Sequence, residues 1–217
     1  MTPAQMLNEF NVLYDAISSN SAPGYDNVDV SILLSKAQQE LFMEAYEAHE
    51  VTEKTTRILE ELKVQTTFTT FTTSTTHPNA VTVTLPTNLW LITKEEVTIS
   101  YTDCNGDTKT KRIPVDEITD YQYNINLDNP FRKPDTTIAW RYTLGDRVIE
   151  LINDGTYSFT TYHLTYLKQP VEIDIDNNVS SELPTISHRD IVEKAVRLAT
   201  ASIHPDYNIK LNEKNIK

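Results

Sequence analysis

Apolar residues at Met6, Phe10, Leu13 and Ile17 recur at steps of four, three and four, which puts them on one stripe of a helix over residues 3–19. Residues 20–25 gather Ser, Pro and Gly and predict a turn. A second helix starts near Asp29 or Ser31, with Leu34, Ala37, Leu41 and Ala45 facing inward. A third, over residues 52–64, carries Ile58, Leu59 and Leu62 and a Glu53–Arg57 pair one turn apart.

The pattern then changes. Residues 65–76 are almost all threonine, broken by Phe68, Phe71 and Ser74, and β-branched side chains at that density favour extended chain. A spacing of three sends Phe68 and Phe71 to opposite faces of a flat strand, so either both faces are covered or a bulge intervenes. Residues 81–85 alternate cleanly and Pro86 ends them. Residues 96–101 lead through Asn105-Gly106 into 108–113, the strongest hairpin signal in the chain. Further strands are expected at 137–142, 147–152 and 159–167, with a short helix over 115–123. Residues 171–176 alternate apolar and acidic and predict an edge strand or extended arm. After Pro184, Ser187-His188-Arg189-Asp190 resembles a capping box, and Ile191, Ala195, Leu198, Ala199 and Ile203 form the inward face of a final helix.

This order predicts an α+β fold, with N-terminal helices and a C-terminal helix packed together and a central antiparallel β domain. Residues 1–64 form the helical segment, 65–176 the β-rich domain and 177–186 a linker. Residues 187–205 form the helix that completes the helical domain, and 206–217 an extended tail.

Charge narrows the function. The 217 residues carry a net charge of -12, so the average surface repels phosphate and disfavours ordinary nucleic-acid binding. The last thirty residues hold six Lys/Arg against four acids, near +2, which leaves about -14 on the rest. Cys104 is the single cysteine, so an internal disulfide and a four-thiolate site are excluded and a reducing compartment fits. No run reaches the ~18 apolar residues of a membrane span, and the N-terminus lacks a signal-peptide pattern.

Catalytic signatures are missing where they would be read. With only four glycines the chain has no phosphate-cradling loop. His49, His77, His163, His188 and His204 are scattered, none at metal-ligand spacing. Asp174-x-Asp176-x-Asn178 starts like a calcium loop, but Val179 stands where the turn needs glycine and Thr185 where the last carboxylate belongs. Cys104 lies beside a turn with no local base, and reads as inert. Trp90 and Trp140 read as core, with a carbohydrate-stacking surface as the alternative. No enzyme activity, metal or cofactor is expected.

Several segments together carry a likeness. They are Phe10-Asn11-Val12-Leu13-Tyr14-Asp15, Ala22-Pro23-Gly24-Tyr25-Asp26, residues 31–38 and 85–90, Asn129-Pro130-Phe131-Arg132-Lys133-Pro134, residues 166–170, and Glu182-Leu183-Pro184 through 192–196. In that order they resemble the neck proteins of tailed bacteriophages, particularly the ring proteins of crAss-like phages. The resemblance implies a homo-oligomeric ring, commonly a dodecamer, stacked on the portal protein or on adjacent neck and tail rings to join capsid to tail. It implies a virion component made in the host cytoplasm, with no active site and no membrane contact. Genomic DNA would pass through without sequence-specific binding, and an acidic lining lets a duplex slide where a basic one would hold it. A tail hub, tube or decoration protein is the alternative within the virion.

Subunit joining would use helix packing, strand addition along 171–176 and docking of the less acidic C-terminal end against an acidic neighbour. Phe131, Arg132, Ile173, Ile175, Arg189, Lys194, Tyr207 and Lys210 are the candidate interface residues.

Overall fold

The computed structural model describes residues 1–17, 24–48, 52–127, 129–145 and 147–203. The turn expected at 20–25 lies mostly outside them, and the tail expected at 206–217 wholly so. The chain divides into two compact units, one of Met1–Leu62 with Pro170–Lys217 and one of Lys63–Gln169. Among the described residues, four helices belong to the first unit and one is inserted in the mostly antiparallel sheet of the second, which makes the fold α+β.

In the first unit, α1 (Pro3–Ile17) opens with proline at its first turn and a reciprocal cap. The Gln5 N–H donates to the Thr2 hydroxyl at 3.3 Å, and the Thr2 N–H to the Gln5 side chain at 2.9 Å. Its buried stripe is Met6, Phe10 and Tyr14, so it is rotated from the expected one, and Ile17 is 50% exposed. Aromatic packing causes the rotation. Phe10 and Tyr14 stack with centroids 5.9 Å apart, and Tyr25 meets both rings edge-on.

Helix α2 (Asn27–Glu47) starts earlier than expected because the Asp26 carboxylate caps the Asp29 N–H at 2.8 Å. Helix α3 (Glu53–Glu61) carries a Thr52/Thr55 capping box and stops at Leu62, short of the expected 64. The last helix, α5 (His188–Ile203), packs against α1 and α2 through Ile191, Val192, Ala195, Val196 and Ala199. The cap expected at Ser187 does not form. Ser187 sits in a 3-10 turn (Thr185–Ser187), and its buried hydroxyl finds no hydrogen-bond partner.

The second unit is an eight-stranded curled sheet. Its strands are β1 (Lys63–Phe68), β2 (Thr72–Thr73), β3 (Ala80–Thr84), β4 (Leu89–Thr102), β5 (Thr108–Ile118), β6 (Ala139–Thr143), β7 (Val148–Ile152) and β8 (Tyr157–Lys168). The order across the sheet is β1-β8-β4-β5-β6-β7-β3-β2. The expected hairpin is β4–β5, closed at Thr102↔Thr108, with Gly106 at φ 88, a conformation glycine adopts without strain. The threonine tract is not one strand. β1 ends at Phe68 and β2 begins at Thr72, and the break lets Phe68 and Phe71 pack on the same core.

One pair, β5–β6, is parallel. Parallel neighbours need a crossover, and the connection supplies one in α4 (Asp120–Asn126), opened by a Thr119/Gln122 capping box. The helix expected at 115–123 therefore begins later, since residues 115–118 stay in β5. Around Val97, Ile99, Ile113, Ile149, Leu151, Tyr162 and Leu164 the concave face forms the main core. Beneath α4, Tyr123 joins Ala80, Ile118, Trp140 and Ile152 in a second cluster, so β7 is covered on both faces. Over β4, β5 and β8 the outer face is polar, with Glu96 held at 3.0 Å by both Lys94 and Arg112.

Residues 171–176, expected as an edge strand or arm at the end of the β-rich domain, form with 177–179 an arm belonging to the helical unit. Ser31, Ser35 and Gln38 stand at i, i+4 and i+7 on α2, one above another, and serve as a surrogate strand edge. The Ile175 N–H donates to Ser31 Oγ at 3.1 Å and the Ile173 N–H to Ser35 Oγ at 2.9 Å. Gln38 Nε2 donates to the Val171 carbonyl at 2.9 Å, while its Oε1 accepts from Ser181 Oγ at 2.5 Å. A tight turn ends the arm, with Asp174 and Val179 exchanging backbone bonds of 3.1 and 2.7 Å and Asn178 at φ 55.

Gln38 is 1% exposed, so removing its amide strands polar atoms of the arm away from water. Gln38→Ala is expected to lower stability by ~1–3 kcal/mol in urea unfolding. Gln39→Ala, at the neighbouring half-buried position, should cost well under that.

Candidate assembly surfaces

The expected interface residues fall into three settings. Phe131 is 94% exposed, and Arg132 and Lys133 beside it are also exposed. A turn fixes them. The Phe131 N–H donates to Asn129 Oδ1 at 3.0 Å, and the N–H groups of Arg132 and Lys133 both donate to the Asn129 carbonyl, at 3.1 and 2.9 Å. Pro134 is buried behind them. Tyr121 and Ile125, one turn apart on α4, and Leu127 after it are exposed as well.

Ile173 is 2% exposed and packs inside the helical unit, and Ile175 is half-buried. Between α2 and the arm runs a groove of about 590 Å³. Exposed Val28, Ile32 and Val171 line it, together with Lys36 and the acids Glu172, Asp174 and Asp176. Hydrogen bonds from the Asn177 side chain and backbone hold the Asp174 carboxyl below the usual carboxylate range.

Arg189 and Lys194 are engaged within their own unit. Arg189 lies 3.4 Å from both Glu9 and Glu193, and Lys194 pairs with Glu44 and, at 3.7 Å, Glu40. These contacts tie α5 to α1 and α2. Tyr207 and Lys210 lie outside the described residues, as do His49, His204 and the side chain of Ile203.

Two buried polar clusters escaped the sequence reading. Glu150 is fully buried on β7, where His77 Nδ1 meets one carboxylate oxygen at 2.5 Å and the Ser74 hydroxyl meets the other. An acid, a histidine and a serine together suggest a nucleophile, but the order of contacts is wrong for one. Ser74 bonds to the carboxylate instead of the imidazole, so His77 is not placed to take its proton as a serine–histidine–acid relay requires. The cluster clamps the threonine-rich connection to β7, and His77 also packs on Tyr123 and Tyr142 with centroids 4.4 and 4.9 Å away.

In the second cluster Arg141 reaches Glu95 at 3.0 Å and Glu117 at 2.8 Å, and the Tyr162 hydroxyl donates to Glu95. Burial pushes the Glu95 carboxyl above its ordinary range, against the Tyr162 bond and Arg141, which pull it down. The depression beside it, about 440 Å³, is lined by half-buried Trp90, and both of its carboxylates, Glu95 and Glu117, are engaged by Arg141. Trp140 is 3% exposed and offers no stacking face. Among the described residues, no three His, Cys, Asp or Glu side chains are placed to hold a metal ion, and no helix is long and apolar enough to cross a membrane. What the surface does present is a rigid aromatic turn, an acid-rimmed groove and paired charges, the equipment of a protein that packs against proteins.

Residues 1–210 match the family described as phage tail ring protein 3/4. The chain belongs to that family. It is 29% identical to Ring protein 4/5 of Bacteroides phage crAss001, over 95% of both chains. It is also 28% identical to Ring protein 3 of the same phage, over 57% of this chain and 58% of that one. The match across 95% of the chain takes in the helices, the sheet and the arm, so the ring-family assignment covers both units. A structural role in the phage tail or neck follows from that membership.

Two measurements probe the β unit of this ring-family chain. Arg141→Met leaves the 7%-exposed Glu95 side chain without its cation and is expected to cost ~3–5 kcal/mol in denaturant unfolding. His163, on the outer face of β8, bonds Thr98 at 2.9 Å. Burial, with Arg112 adding and Glu96 opposing, holds its imidazole below the usual value. As pH falls through about 6.5, the unfolded chain takes up the proton first, so stability drops until the folded imidazole is protonated too. His163→Gln should flatten that stretch of a urea-midpoint profile from pH 7 to 5, and an unchanged slope would contradict it.

Proposed function

We propose that this chain forms a closed homo-oligomeric ring, a dodecamer, in the neck of a tailed-phage virion. There it joins the portal and capsid to the tail, stacks on adjacent ring proteins and surrounds the channel through which the genome passes. It works without catalysis or a cofactor. The observation that carries the reading is membership of the tail ring family over residues 1–210, together with likeness to Ring protein 4/5 over nearly the whole chain.

The physics of the chain supports the reading. A net charge of -12 suits a wall past which DNA slides, because a basic lining would hold the phosphates. Exposed apolar side chains such as Phe131, Tyr121 and Ile32 are supplied on more than one surface, as a subunit with several neighbours requires.

The purified chain is expected to elute as a species of about twelve times the 24.8 kDa chain mass in light scattering, and to appear as annular particles by electron microscopy. In virions, an antibody or tag on the chain should label the junction between head and tail. A chain that stays monomeric and is absent from purified particles would overturn the proposal.

A further inference from the structure

We infer that the Phe131 turn of one copy seats in the groove between α2 and the arm of the next copy, and that this contact closes the ring. The inference rests on the homo-oligomer reading above and names its contact.

The two surfaces are complementary in shape and sign. On one, a turn locked by Asn129 holds out an aromatic ring that is 94% exposed, flanked by the exposed cations Arg132 and Lys133. On the other, a groove of about 590 Å³ has exposed Val28, Ile32 and Val171 along it and the carboxylates Glu172, Asp174 and Asp176, with Lys36 as the cation lining it. Asn177 engages Asp174 and the Asn27 side chain donates to Asp176 Oδ1 at 2.8 Å, so the groove keeps the charge of all three acids while Glu172 is the exposed one beside Val171 that can turn to an incoming cation. A groove of that volume is in the range that encloses a bulky side chain. Rigid aromatic anchors flanked by arginine are what interface hot spots are made of, because little conformational freedom is lost on docking.

Net charge gives a second argument. Two copies at -12 each repel at long range, so copies of this chain can approach only where a local cationic feature meets an acidic one. On α5, Arg189 and Lys194 are taken by acids of their own unit. The turn at 129–133 presents its pair at the surface. Turn and groove are different patches, so the contact is head-to-tail, the type that generates rings.

The test uses the full chain with Cys104→Ser. One batch carries Phe131→Cys, another Ile32→Cys, and the two are mixed and treated with a short bis-maleimide. The expected result is a cross-linked dimer only in the mixture, and a ladder of higher species when both cysteines are in one chain. Phe131→Ala and Ile32→Glu, both at exposed positions, are expected to weaken self-association by about 30-fold or more. Circular dichroism should stay unchanged, and Arg132→Glu should weaken association further at low salt than at high salt. Rings that persist in Phe131→Ala with no mixed cross-link would overturn this contact and leave the ring reading standing. A cross-link between two Phe131→Cys copies would overturn it in favour of a symmetric pairing. A chain that neither self-associates nor is found in purified particles would overturn both readings.

Discussion

An extended chain laid against a helix has a difficulty that no apolar contact resolves. Its backbone N–H and C=O groups leave water, and a helix has none of its own to offer in return. In the helical unit Ser31, Ser35 and Gln38 resolve it, standing in register with the alternate residues 175, 173 and 171 of the arm. Everything after the sheet depends on this lacing. The arm leads through Leu183 to α5, and α5 brings Ile191, Val192, Ala195, Val196 and Ala199 to a core that α1 and α2 leave open. The groove exists because the arm is held at that line along α2.

In the β unit, the connection between β5 and β6 plays the comparable role. By passing through α4 it reverses what would otherwise be an antiparallel meander and places Tyr123 over the outer face of β6 and β7. That cover allows Glu150 to be fully buried, and its carboxylate then anchors Ser74 and His77. The same connection continues into the Asn129 turn. A single crossover thus supplies both a second core and the exposed Phe131.

Much of this was legible in the chain, and the reasons differ by element. The helices and the β4–β5 hairpin are written locally, in apolar spacing, caps and Asn105-Gly106, so they emerged with errors of a few residues. Errors came where tertiary contacts outweigh periodicity. Tyr14 displaced Ile17 from the buried stripe because Tyr25 completes an aromatic cluster from beyond the turn. Gln38 and Ser35 are buried polar residues of α2 that its apolar periodicity does not account for, and the distant arm explains them. The clusters at Glu150 and Arg141 join residues about 70 and 45 positions apart, with no motif to announce them. Of the candidate interface residues, Phe131 and Arg132 lie in a segment that carried the family likeness and are exposed, whereas the alternation at 171–176 suggested an edge strand or arm and gave no sign that Ile173 is buried against its own helical unit.

Strand β1 pairs directly with β8, so the chain enters and leaves the sheet on neighbouring strands, with Lys63 opposite Leu167. The β unit is therefore an insertion with adjacent ends, placed inside a helical unit whose two halves are about a hundred residues apart in sequence. On the ribosome, the first 62 residues cannot complete their core until the sheet has been made and α5 follows it. Loop-closure entropy favours the same order, because a folded sheet brings residues 62 and 170 within reach of each other and turns a long-range closure into a short one. The helical unit thus needs residues from both sides of the sheet to close its core, and the groove along α2 is available to a partner only after the sheet and residues 171–179 have been synthesised.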